Sequence, residues 1–315
     1  MKRRLVLPLA LLATLLAVPA AAPAATVGIS DQQASTFTNP LYAPLKLKVA
    51  RYIAPYDVMS DRNQLARWDA WYRAALASRQ RILVAFEHSR LPGKEQRVPS
   101  TSEFKREMRA FRAAYRRVSD VTVWNEINRC QEGGRTEGQP RGLCKGSSGA
   151  KRLFGLYKVA KSVFKGKKIA AIDILDERNP GPAVKYIQAF KRVAGRRAPR
   201  YWGVHNYSDT NRFSTKRTAA ILKAIGKGQK IWLTETGGIV KLGTSLPFSE
   251  ERATKALGCM FSIAKKFKQI ERLYIYQFNP GLAGASFDAG LIRGDGSTRP
   301  GYEVVRKRQA RACRA

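Results

Sequence analysis

A repeated alternation constrains this chain more than any other feature. Short, almost continuously apolar runs cover residues 26–30, 48–53, 81–86, 121–124, 168–174, 200–205, 230–234 and 272–277. Runs without polar alternation suit parallel strands covered on both faces. Longer stretches at helical spacing separate them, over 61–79, 148–164, 180–194, 215–226, 249–268 and 301–312. In the first of these, Leu65, Trp68, Tyr72, Ala75 and Leu76 share one face. Another helix opens at Ser100, with Glu103 completing a capping box, and carries Phe104, Met108, Phe111 and Tyr115. Only the segment after the first run is poorly marked, because Pro40 and Pro44 interrupt it. Eight strand–helix repeats in 315 residues predict an α/β fold of the (β/α)8 TIM-barrel type. A doubly wound open sheet would need a Gly-rich phosphate turn after its first strand, and Gly28-Ile29-Ser30-Asp31 is not one. No linker or internal repeat divides the chain, so residues 26–315 read as one domain.

Residues 1–25 read as a secretory signal peptide. Lys2, Arg3 and Arg4 precede an apolar run over 5–18, and small residues end in an A-x-A site at Ala22-Pro23-Ala24. The run is short for a membrane span of about 20 residues, so a secreted, extracellular protein without a membrane span is expected. The four cysteines fit that setting, being an even number in an exported chain. The expected pairs are Cys130 with Cys144 and Cys259 with Cys313. With only His88 and His205, and no C-x-x-C pair, neither a metal site nor a cofactor is expected.

Three predicted strand ends carry polar clusters directly after apolar residues. They are Asn125-Glu126 after strand 4, His205-Asn206-Tyr207 after strand 6, and Glu235 after strand 7. Catalytic groups of a barrel of this kind project from those ends. Two glutamates facing each other across the mouth suit glycosidic bond hydrolysis: one protonates the leaving oxygen while the other, ionised, meets the oxocarbenium-like centre. Trp124 shares strand parity with Glu126 and is expected to face the pocket. Trp232 has parity opposite to Glu235 and is expected under the helices. Glu87 and His88, ending strand 3, are candidate subsite residues.

Asn125-Glu126, His205-x-Tyr207 and Glu235 resemble the clan A (4/7 superfamily) retaining glycoside hydrolases, family-5 or family-39-like TIM barrels. The resemblance implies Glu126 as acid/base and Glu235 as nucleophile. It implies that Asn125 binds a sugar hydroxyl, Tyr207 hydrogen-bonds Glu235 and His205 lines the pocket. Arg51 resembles the arginine beneath the nucleophile. Two departures stand out: Ile127 replaces the usual proline, and Tyr276 stands where the clan presents a tryptophan on strand 8.

The function this implies is a secreted retaining β-glycoside hydrolase, a monomer acting on a polysaccharide. The formal net charge of +35, from 58 Lys and Arg against 23 Asp and Glu, motivates a different class: a catalytically silent barrel binding glycans or anionic cell-wall or surface polymers. The two glutamates speak against silence, since a binding module gains nothing from a like-charge pair. Nucleic-acid binding lacks an aromatic–basic motif beyond bulk charge.

Overall fold

The computed structural model describes residues 24–130 and 139–314; most of the leader-like segment and part of the Cys130–Cys144 loop lie outside them. Eight parallel strands close into a barrel: β1 (Thr26–Ser30), β2 (Val49–Pro55), β3 (Arg81–Glu87), β4 (Asp120–Thr122), β5 (Lys168–Leu175), β6 (Tyr201–His205), β7 (Lys230–Thr236) and β9 (Ile270–Ile275). Between β7 and β9 the chain makes β8 (Lys241–Leu242), which pairs antiparallel with β10 (Phe287–Asp288) as a two-residue ribbon. The helical wall comprises α1 (Arg62–Ala77), α2 (Thr101–Ala114), α4 (Gly146–Val163), α5 (Gly181–Ala194), α7 (Lys216–Ile225), α8 (Glu250–Lys266) and α9 (Pro300–Arg306), with the one-turn α3 (Arg141–Cys144) and α6 (Tyr207–Asn211) at loop positions. The fold class is the expected (β/α)8 barrel.

Departures from the expected pattern have local causes. The proline-broken segment after β1 forms only 3-10 turns, at Ala34–Thr38 and Ala43–Leu45. Ser100 caps α2 by accepting from the Glu103 backbone, but the Glu103 carboxylate binds Arg97 and the Tyr56 hydroxyl, so the box is half made. On α1, Trp71 joins the predicted face; its ring stacks on Trp68 at 5.7 Å, and its indole N–H donates to the Asp31 carbonyl.

Two irregularities in the ladder matter for the site. Between β6 and β7 the register moves from Gly203↔Trp232 to His205↔Glu235, so β7 spends one extra residue. Between β5 and β6 it moves from Ala170↔Tyr201 to Asp173↔Gly203, with the extra residue in β5. Each bulge turns two residues of opposite parity into the barrel. Trp232 is thereby corrected: it packs inside, with Val49, Leu83, Ala170 and Tyr274 from four other strands, beneath the mouth. The Arg272 guanidinium lies 4.5 Å from its ring centre and also pairs with Asp120 at 2.8 Å.

Cys130–Cys144 and Cys259–Cys313 are both bonded. The second fastens the C-terminal segment to α8 across 54 residues of sequence. Denatured, unreduced protein should label no thiol, and Cys313→Ser should cost about 2–5 kcal/mol in denaturant melts. Wild-type stability in that variant would contradict the role given to the bridge.

Candidate active site

The mouth of the barrel is a cleft of about 800 Å³ whose wall includes Asn125, Glu126, Tyr207, Glu235, Tyr276 and Phe287. Glu126 follows the short strand β4 in a turn, with φ 39°, a left-handed conformation uncommon for a side-chain-bearing residue and frequent at functional sites. Regular pairing of β4 stops at Thr122, so alternation does not carry through to Glu126. Trp124 is accordingly corrected: it is fully buried behind the cleft, stacked 6.2 Å from Tyr56, with its indole N–H on Gln139. Ile127 is also buried, and its N–H donates to the Asp173 carbonyl at 3.1 Å, a bond that proline has no hydrogen to make.

One oxygen of Glu126, one of Glu235 and one ring nitrogen of His205 lie within 4.8 Å of one another. Glu235 is held by two donors: Arg51 Nη1 at 2.6 Å from Oε1 and the Tyr207 hydroxyl at 3.1 Å from Oε2. Glu126 Oε1 stands 3.0 Å from His205 Nδ1, and Oε2 stands 3.3 Å from Arg129 at the rim. His205 and Arg51 are both fully buried: Arg51 lies beneath Glu235, out of reach of a substrate, and His205 sits under the carboxylates rather than on the cleft wall, which corrects the expectation that it lines the pocket and that either contacts substrate. Glu87 pairs with Arg90, and neither it nor His88 lines the cleft.

Beneath this layer lies a residue that the strand-end reading passed over. Asp173, fully buried on β5, accepts from Arg51 Nη2 at 2.7 Å, and its Oδ2 is 3.6 Å from His205 Nε2. Gly203, across on β6, makes the room: a Cβ there would lie 1.6 Å from Asp173 Oδ1 and 2.8 Å from Thr234 Oγ1. Both had a sequence signal, an acid within an apolar strand and a glycine in a strand interior. Phe287 had none, being brought in by the β8–β10 ribbon to stand 5.9 Å from Tyr276 and 6.3 Å from Tyr207. Asp176 accepts from the Ser208 and Asp209 backbones at 2.8 Å each and so fixes the turn that carries Tyr207. Burial pushes its carboxyl up to about 7.

Proton placement follows from the charges. Burial alone would lower the His205 pKa, but the Glu235 charge and the contacts to Asp173 and Glu126 outweigh it and lift the imidazole from 6.5 to about 9. Burial would raise Glu126, yet the His205 contact and charge, with Arg129, hold it below the usual carboxylate range. Asp173 is likewise low, because Arg51 and His205 outweigh its desolvation. The unliganded site therefore keeps a proton on His205, 3.0 Å from the Glu126 carboxylate.

No family model matches the sequence, and no curated protein matches it. Solved structures do. GH5_18 from Streptomyces cattleya in complex with GlcNAc aligns with TM-score 0.66 at 14% identity, over 91% of this chain and 80% of that one. A psychrophilic family 10 endo-β-1,4-xylanase aligns with TM-score 0.69 at 13% identity, over 90% and 96%. Fungal β-1,4-galactanase aligns with TM-score 0.62 at 14% identity, over 90% and 100%.

Two outcomes test the site as built. Alanine at a strand glycine ordinarily helps by about 0.5–1 kcal/mol, but Gly203→Ala must displace Asp173 and should instead destabilise by about 1–3 kcal/mol. A neutral or stabilising result in a urea melt would contradict the packing. For His205, a folded pKa above the unfolded one means stability that is whole below about 6.5 and is lost as pH rises through about 9. The fall in melting temperature across that window should be absent in His205→Gln; a variant with the wild-type slope would place the proton elsewhere. The chain shares with these glycoside hydrolases the TIM-barrel fold.

Proposed function

We propose that this chain is a retaining β-glycoside hydrolase cleaving a polysaccharide by double displacement, with Glu235 as nucleophile and Glu126 as acid/base. The observation that carries the reading is the approach of the two carboxylates to within 4.8 Å. Retaining enzymes hold theirs about 5–5.5 Å apart, whereas inverting enzymes leave about 6.5–9.5 Å for a water.

In the first step a Glu235 oxygen, oriented by the hydrogen bonds from Arg51 and Tyr207, bonds to the anomeric carbon as the bond to the leaving oxygen breaks. Glu126 hands that oxygen a proton, drawn from His205 Nδ1 at 3.0 Å. In the second step Glu126 takes a proton from water, the water oxygen bonds to the anomeric carbon, and Glu235 leaves. The proton returns to the Glu126–His205 pair. Tyr276 and Phe287 offer aromatic faces for a sugar ring. Asn125 gives its carbonyl to Arg51 at 2.7 Å, leaving the amide N–H groups for a substrate hydroxyl. The xylanase and galactanase among the structural neighbours support a polysaccharide as substrate. Residues 1–25 and the two disulfides support export and action outside the cell.

On a glycan that the wild type hydrolyses, Glu126→Gln and Glu235→Gln should each lower kcat by about 10³-fold or more. Azide should restore turnover to Glu126→Ala and not to Glu235→Gln. Full activity in either glutamine variant would refute the assignment.

A further inference from the structure

The positive charge is not spread evenly over the barrel wall. Helices α4, α5 and α7 contain no Asp or Glu, and the last part of α2, from Met108 onward, has none either. Acids on the wall occur instead on α1, the start of α2, α8 and α9, where many are paired, as Asp69 with Arg73 and Glu251 with Lys255. The acid-free helices stand side by side, since they follow β4, β5 and β6 around the ring and α2 precedes them.

Within that sector, a groove of about 670 Å³ runs between α2 and α4, lined by Lys105, Arg109, Arg112, Arg116 and Lys165 with no acid among its residues. Among the described residues, Lys105, Arg109, Arg116 and Lys165 make no ion pair. Arg112 Nη1 donates to the Arg116 carbonyl at 3.1 Å, which Lys167 Nζ also reaches at 3.4 Å. Burial and the neighbouring Arg112 lower the Lys167 pKa, so the crowding of like charge is felt within the fold. Five cations on one concave surface with no acid among its lining residues make a surface of the sign that attracts an anion.

We propose that the α2–α4 groove and the acid-free wall beside it bind an anionic glycan, a polymer carrying regularly spaced carboxylate or phosphate groups. Each such group displaces counterions from the polymer when it meets a Lys or Arg, which drives association without side-chain recognition of sequence. No aromatic side chain lines the groove. Single-stranded nucleic acid, which such grooves hold largely by stacking bases on aromatic rings, is therefore disfavoured. None of the groove's residues lines the catalytic cleft, so a bound polymer leaves the mouth open. Tethering also raises the local concentration of nearby glycan at the cleft; that consequence alone rests on the hydrolase reading.

Binding is measured without turnover, on the whole protein, so its result stands apart from the fate of Glu126 and Glu235. The probes are polygalacturonate for carboxylate, phosphorylated dextran for phosphate, neutral dextran, and single-stranded DNA matched for charge. One variant carries Lys105→Gln, Arg109→Gln, Arg116→Gln and Lys165→Gln, all exposed positions. A second carries Lys46→Gln, Arg62→Gln, Arg67→Gln and Arg79→Gln, which removes the same charge from the α1 side. At least one of the two non-nucleic polyanions should bind with salt-sensitive affinity, and the groove variant should weaken it by about tenfold or more while the α1-side variant changes it little. Equal loss in both variants would reduce the effect to bulk charge and overturn the groove. Binding to neither polyanion, equal binding to dextran, or DNA binding more tightly than both would overturn the glycan assignment.

Discussion

Arg51 holds the mouth of this barrel together. Its guanidinium, fully buried on β2, touches Ser30 at the end of β1, Asn125 after β4, Asp173 on β5 and Glu235 on β7. One side chain thus joins the tops of five staves. Its partners explain why so much charge survives out of water: Asp173, Glu235 and Glu126 are offset by Arg51 and by the proton on His205, with Arg129 at the rim. Removing one member of a buried pair strands the other, at about 3–5 kcal/mol. The layer is therefore ordered before any ligand arrives, which is the condition for electrostatic preorganisation.

Strand geometry builds that layer by breaking its own rule. A regular strand sends alternate residues to opposite faces, so Asp173 and Glu235 would not share the interior with Ala170 and Trp232. The bulges in β5 and β7 supply the missing residue in each case. Gly203 then leaves a gap that the Asp173 carboxylate fills. Below, Trp232, Tyr274 and Leu83 plug the barrel, so the charged layer rests on a buried aromatic and aliphatic floor.

What the sequence made legible, and what it hid, follows the same division. The apolar runs were readable because a parallel strand covered on both faces tolerates little else, and Glu126, Tyr207, Glu235 and Tyr276 stood out as polar or aromatic residues at strand ends. The structure brings those four to one cleft. Parity, by contrast, misplaced Trp124 and Trp232, because counting by twos presumes no bulge and no early end to β4. His205 stood out as a residue but was expected on the pocket wall rather than beneath the carboxylates; the chain marks polarity, not depth. Phe287 depended on a two-residue ribbon too short to leave a pattern. The charge of +35 was visible at once, yet its gathering on α4, α5 and α7 has meaning only when the ring of helices is closed.

The proposed chemistry needs two carboxylates close enough to act on the same carbon in succession. Proton NMR of the anomeric region, recorded during the first turnovers on an accepted β-linked glycan, reads this most directly. Double displacement at Glu235 predicts that the β-anomer of the new reducing end appears first and mutarotates slowly to the mixture. First appearance of the α-anomer would mean single displacement by water and would contradict the close pair.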